Sequence, residues 1–303
     1  MVKSLKTFLK HTYKDFKTRS VNPPLIRTST MVFKSMSDLR QVQRKNIKNP
    51  RGGHFEYGRQ GTGTTFELEK ILTNLEESYH TFLTPTGFGS VFLCLFSILR
   101  PSDEIIIADP LYSPTRILTE DYLKEFNINA KFYDPNNLDT IKKNFTNKTK
   151  LIYVENPGSN TFEFQDLGKI ISFAKKKKIL TAIDNTWATP YFLKPIKIGF
   201  DLSIVSATKY YSGHSDVMGG SLAVSKRVFK RVIRAQNMTG LRLSPDDAYF
   251  IMRGIRTLDV RLEKHQDNAI KIAKFLSKKK NIEVLYPFKK NTKNYKFWKK
   301  YYS

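Results

Sequence analysis

The sequence predicts an α/β fold, a mainly parallel sheet flanked by helices. Apolar runs of strand length alternate with amphipathic stretches of helical length, the pattern of βαβ units. Two of those runs lead into charged residues, one ending in Asp184 and the other in the cluster Ser206-Ala207-Thr208-Lys209. Open α/β sheets gather their ligand-binding groups at such carboxyl ends. With 303 residues, 40 % of them hydrophobic, the chain is long enough for one large core and some appendages.

Taken in order, residues 1–58 read as an extended amino-terminal arm. Pro23-Pro24 and Asn49-Pro50-Arg51-Gly52-Gly53 break any long element there, and such an arm needs another subunit to cover it. Tyr57-Gly58-Arg59-Gln60-Gly61-Thr62-Gly63-Thr64 reads as a glycine-rich turn into a helix at about 65–79. Thr84-Pro85-Thr86-Gly87-Phe88-Gly89-Ser90 opens a second helix running to about Leu99. Glycines at a helix start let backbone N–H groups approach an anion, although most such turns only cap helices.

Ile105-Ile106-Ile107-Ala108 is a buried strand, and the turn after it holds Tyr112, by itself a packed aromatic. A further buried strand spans 150–155, and 165–178 is helical with Ile170, Ile171, Phe173 and Ala174 inward. The strand ending in Asp184 follows, then the one at 203–206, then Gly219-Gly220-Ser221-Leu222-Ala223-Val224 as a further strand. Ser244-Pro245-Asp246-Asp247 starts a helix with a capping Ser and early carboxylates, expected to continue to about Leu276. His265 lies on it among charged residues and is expected at a surface or interface.

A net charge of +25 raises nucleic-acid binding as a class. The lysines are scattered through every segment, and no recognition helix, zinc-finger spacing or RNA-binding aromatic motif accompanies them. The charge implies nonspecific attraction to polyanions and no specific nucleic-acid partner. The single cysteine, Cys94, lies in an apolar run and reads as core. No stretch approaches membrane-spanning length and no secretory signal is present. The first twenty residues are basic but not Ser/Arg-rich, so the expected location is the cytoplasm. No residue is assigned as a metal ligand.

Asp184 and Lys209 carry the chemistry. A lysine after a strand is by itself a solvated loop residue; buried, it would have a lowered pKa and an amine free for Schiff-base chemistry. Ser206 and Thr208 beside it suit an anion such as phosphate. Pyridoxal phosphate needs a lysine to hold its aldehyde and a carboxylate to keep its ring nitrogen protonated. Asp184, with Lys209 25 residues later, suits that pair.

These motifs, Ile183-Asp184-Asn185-Thr186-Trp187-Ala188 and Ser206-Ala207-Thr208-Lys209-Tyr210 with Gly213-His214-Ser215-Asp216, resemble the Cys/Met-metabolism family of pyridoxal-phosphate enzymes. Within that family the likeness is greatest to the bacterial cystathionine β-lyases, and it runs from about Thr7 to the chain end. The resemblance implies a fold-type I, aspartate-aminotransferase-like architecture with a seven-stranded-type sheet. It also implies domains at 1–58 (arm), 59–255 (large, cofactor-binding) and 256–303 (the start of a small domain). The family continues beyond Ser303 with the arginine that binds the substrate α-carboxylate, so the chain is expected to be truncated and its small domain incomplete.

By the same resemblance Lys209 anchors the cofactor and acts as general base, and Asp184 pairs with the ring nitrogen. Tyr112 stacks on the ring and aids proton transfer. Gly87, Phe88, Ser206 and Thr208 hold the phosphate. Tyr57 and Arg59 reach the phosphate of a neighbouring subunit, which implies a homodimer or homotetramer. The implied reaction is α,β-elimination of L-cystathionine to homocysteine, pyruvate and ammonia, in methionine biosynthesis. Pro114 stands where methionine γ-lyases carry Cys, and Ser159 where γ-acting relatives usually show Asn. A γ-lyase or γ-synthase activity is the alternative, and a pyridoxal-phosphate-binding chain without turnover is another.

Overall fold

The computed structural model describes residues 4–13, 19–290 and 292–302. The arm carries α1 (Leu5–Lys10) and α2 (Met36–Lys48), then α3 (Gly63–Leu75) leads into β1 (His80–Thr84). Next come α4 (Gly87–Ile98), β2 (Glu104–Ala108), α5 (Ser113–Ile117), β3 (Asn129–Tyr133) and β4 (Thr149–Glu155). They are followed by α6 (Leu167–Lys177), β5 (Leu180–Asp184), β6 (Leu202–Ser206) and β7 (Gly220–Val224). The remaining labelled helices are α7 (Phe229–Thr239), α8 (Pro245–Ile255), α9 (Leu258–Leu276) and α10 (Lys293–Tyr301).

The seven strands form one sheet in the order β1-β7-β6-β5-β4-β2-β3. β2, β3, β4, β5 and β6 are mutually parallel, and β7 pairs antiparallel with both β6 and β1. β1 therefore runs with the parallel set, and the carboxyl ends of six strands share one edge.

Near-continuous apolar runs make these strands, and because successive side chains point to opposite faces both faces of the sheet are buried. Ile105, Ile107, Leu151 and Tyr153 point to one face, under α4 and α7 through Leu93, Cys94, Val232 and Ala235. Their neighbours Ile106, Ile152 and Val154 point to the other, under Leu167, Ile170, Ile171 and Ala174 of α6. Leu83 and Val205 pack on that second side against Leu68, Ile71 and Leu72 of α3, Ile251 of α8 and Leu262 of α9. Cys94 is fully buried, and burial pushes its thiol pKa up, as expected of a core residue. No helix among the described residues is long and apolar enough to cross a membrane.

The fold differs from expectation in three respects. The arm is not extended throughout. Ser35 caps α2 by accepting the Asp38 N–H, and this helix buries none of its residues. β1 and β3 add strands where none was expected. The helix expected from Ser244 to Leu276 breaks at Arg256–Thr257. There the Gly254 carbonyl accepts from Thr257 Oγ1 and Arg261 Nη2, and Gly254 lies so close to the Tyr211 and Ser212 carbonyls that a Cβ would overlap them.

Candidate active site

The carboxyl edge of the sheet opens into a cleft of about 1020 Å³, lined by Gly87, Phe88, Tyr112, Glu155, Asp184, Ser206, Thr208, Lys209, Arg261 and His265 among others. Each strand end delivers one part of it. β1 leads into Thr86, whose hydroxyl caps α4 by accepting the Gly89 N–H at 2.8 Å. The cap leaves the first N–H groups of α4 facing the cleft, a ready site for an anion. Gly87 is required here, because a Cβ would overlap Ser206 Oγ and Cβ. Gly220 of β7 packs under the same turn, where a Cβ would overlap the Thr86 carbonyl.

β5 ends in Asp184, whose Oδ1 accepts the Thr186 N–H at 2.9 Å. Burial raises its pKa, and the hydroxyl and N–H of Thr186 work against the rise. β6 ends in Ser206, whose N–H donates to Thr186 Oγ1 at 2.9 Å, so the two strand ends are tied together. Lys209 follows in the turn and is exposed. Lys209 is thus the solvated loop lysine that its place after a strand implies, not the buried one that would have a lowered pKa, and it lines the cleft. The Thr208 hydroxyl is committed to Gly219, donating to its carbonyl and accepting its N–H, both at 3.1 Å. Ser206 is the freer anion ligand of the two. Tyr112 is 48 % exposed, leaving its ring available on the cleft wall.

Seven of the expected site residues, Gly87, Phe88, Tyr112, Asp184, Ser206, Thr208 and Lys209, therefore converge on one cleft. Tyr57 and Arg59 do not line it. Arg59 donates to the Asn237 carbonyl at 3.4 Å and stacks near the Tyr57 ring.

Two cleft residues were not foreseen. Glu155 ends β4 beside Asp184, and its place after a buried strand is the same signal that marked Asp184. Arg261 of α9 donates to the Gly254 carbonyl at 2.8 Å and to Thr257 Oγ1 at 3.1 Å. Its guanidinium fills the space where a Gly213 Cβ would go, and the Gly213 N–H bonds the Lys209 carbonyl at 2.9 Å. Arg261 thus buttresses the lysine turn, a tertiary contact with no local signal. His265, expected at a surface, is exposed and also lines the cleft, 5.7 Å from the Tyr210 ring.

A lysine, a buried carboxylate, a free aromatic face and a helix N-terminus at the carboxyl edge of such a sheet fit pyridoxal phosphate. The lysine suits its aldehyde, Asp184 its ring nitrogen, and the α4 turn its phosphate. Fold and site together define the class, a pyridoxal-phosphate enzyme. The profile of Cys/Met metabolism PLP-dependent enzymes matches residues 6–303, and the chain belongs to that family. It is similar to the cystathionine beta-lyase of Haemophilus influenzae, 34 % identical over 90 % of this chain and 68 % of the relative. It is also similar to an L-methionine gamma-lyase of Fusobacterium nucleatum, 35 % identical over 87 % of this chain and 66 % of that protein. A Campylobacter jejuni O-acetylhomoserine (thiol)-lyase structure carrying pyridoxyl-lysine phosphate superposes with a TM-score of 0.89 at 27 % identity. That match covers 98 % of this chain and 81 % of the other.

Proposed function

We propose that the chain is a carbon–sulfur lyase that performs the α,β-elimination of L-cystathionine to homocysteine, pyruvate and ammonia. The observation that carries this reading is the convergence of Lys209, Asp184 and Tyr112 on one cleft beside the α4 turn. Pyridoxal phosphate, when bound, supplies the electron sink that makes a substrate Cα proton removable. Lys209 holds the cofactor and then moves that proton as general base. Asp184 pairs with the ring nitrogen, the Tyr112 ring lies on the cofactor face, and Lys209 or Tyr112 protonates the departing sulfur. The N–H groups of Gly87 and Phe88, with the Ser206 hydroxyl, would hold the phosphate, whereas the Thr208 hydroxyl braces the turn through Gly219. Tyr57 and Arg59 complete the site from a second copy of the chain.

γ-Elimination is the second reading, supported by the relative named L-methionine gamma-lyase. Pro114 and Ser159 favour the β-reaction. The two separate by product: cystathionine gives pyruvate by β-elimination and 2-oxobutanoate by γ-elimination. The test is the visible spectrum of the purified chain with pyridoxal phosphate, followed by both keto-acid assays on L-cystathionine. A visible band with pyruvate is the expected result. A band with 2-oxobutanoate would replace the β-reading, and a band with neither would leave a cofactor-binding chain without turnover on this substrate.

A further inference from the structure

The cleft floor carries a second acid for which the reading above has no use. Glu155 at the end of β4 is in register with Asp184 at the end of β5, so the two side chains leave the same face of the sheet at adjacent strand ends. Only 9 % of Glu155 is exposed. Its carboxylate accepts the Tyr112 backbone N–H at 2.8 Å and the Ser159 hydroxyl. One carboxylate thereby ties the loop after β2 and the loop after β4 to the strand that separates them from Asp184. The backbone held in this way is that of Tyr112, the residue whose ring stands on the cleft wall.

We propose that Glu155 is a positioning residue of the cofactor site, acting through Tyr112, whose ring it places, and through Asp184, whose charge it opposes. This rests on the pyridoxal-phosphate reading of the cleft. Two neighbouring carboxylates that are both buried do not both ionise freely. Burial first, and the charge of Asp184 second, push the Glu155 pKa up to about 7. The other titratable groups around the pair divide into two sets. Tyr153 of β4 and Cys94 of α4 lie beneath it, and burial first and neighbouring acid charge second raise both pKa values, so both remain neutral. Lys209, Asp216, Arg261 and His265 line the cleft opposite. Glu155 therefore gains its charge as pH rises through about 7, and that charge favours a proton on the cofactor atoms that Lys209 and Asp184 would hold.

The experiment is a pH titration of the visible absorbance of the full chain loaded with pyridoxal phosphate, in the native, E155Q and E155A forms. Cofactor affinity is read from the same band, and circular dichroism checks the fold of each variant. E155Q keeps an oxygen to accept the Tyr112 N–H but removes the charge. It should lower the titration midpoint by about one unit while holding the cofactor as tightly as the native chain. E155A also frees Tyr112, and should in addition weaken cofactor binding about tenfold. A native midpoint in a folded E155Q chain overturns the proposal, and so does native affinity in a folded E155A chain. Should E155A fail to fold, the E155Q midpoint decides alone. A native chain that gives no visible band at all refutes the cofactor reading beneath the proposal, a result distinct from a band whose midpoint ignores Glu155.

Discussion

Lys209 is exposed and its amine makes no hydrogen bond or ion pair among the described residues, so it can be removed with little structural consequence, within about 0.5 kcal/mol. Lys209→Ala should abolish turnover and the visible cofactor band while leaving circular dichroism unchanged; a retained band with retained activity would sink the assignment. Gly87 is the opposite kind of residue. Gly87→Ala drives a methyl into Ser206, and overpacking of this kind costs about 1–3 kcal/mol. Its distinguishing result is weakened pyridoxal-phosphate binding in a chain that still folds, read by titrating the cofactor; native affinity would mean the α4 turn does not hold the phosphate. The residues legible in the sequence were those whose chemistry is local. Asp184 and Lys209 each follow an apolar run, and Gly87 sits in a turn of its own kind. Glu155 follows an apolar run as Asp184 does, but no motif surrounds it. Arg261 was illegible for a physical reason: its partner Gly213 lies 48 positions away in the chain and meets it only after α9 folds back over the cleft.

At the scale of elements, the strands legible in the sequence are those with apolar runs, β2, β4, β5, β6 and β7. β1, His80-Thr81-Phe82-Leu83-Thr84, mixes polar residues into a fully buried strand, and β3 lies at the sheet edge with most of its residues only partly covered. Neither pattern announces itself before the sheet exists. The junction of α3 with the sheet hides a further feature. Glu76 caps α3 and is completely buried, against Ser203 of β6 and Tyr211 of the lysine turn. Its two carboxyl oxygens and both those hydroxyls stop short of hydrogen-bond geometry, so we take burial as the decisive influence. It pushes the Glu76 pKa up to about 8. A carboxyl whose pKa is raised on folding contributes stability that is intact below its unfolded value and is lost as pH rises through the folded one. Glu76 should therefore erode stability between about pH 5 and pH 8, by a few kcal/mol at most. Glu76→Gln should flatten that decline, so that its melting temperature gains on the native chain as pH rises. Parallel curves for the two proteins would show that Glu76 does not titrate in this range.

At the scale of the whole molecule, one chain does not bring all the proposed cofactor ligands together. Tyr57 and Arg59 lie in the turn before α3, with Arg59 donating to the Asn237 carbonyl of α7, while Lys209 lies in the cleft. The arm exposes Val32, Met36, Ile47, Phe55 and Tyr57, large side chains that a second subunit would cover. If Arg59 serves the neighbouring subunit, the two defects Arg59→Ala and Lys209→Ala belong to different sites of a dimer and can rescue each other. A dimer of one chain of each kind holds one site with both residues native and one site with both lost. With random pairing through a two-fold interface, half the dimers are mixed and half their sites are complete, so activity should return to about a quarter of the native level. Each variant alone should stay far below that. Co-expression of the two variants, with turnover measured against each homodimer, decides the matter. No recovery in mixed dimers would place Arg59 in the site of its own chain or outside the site altogether.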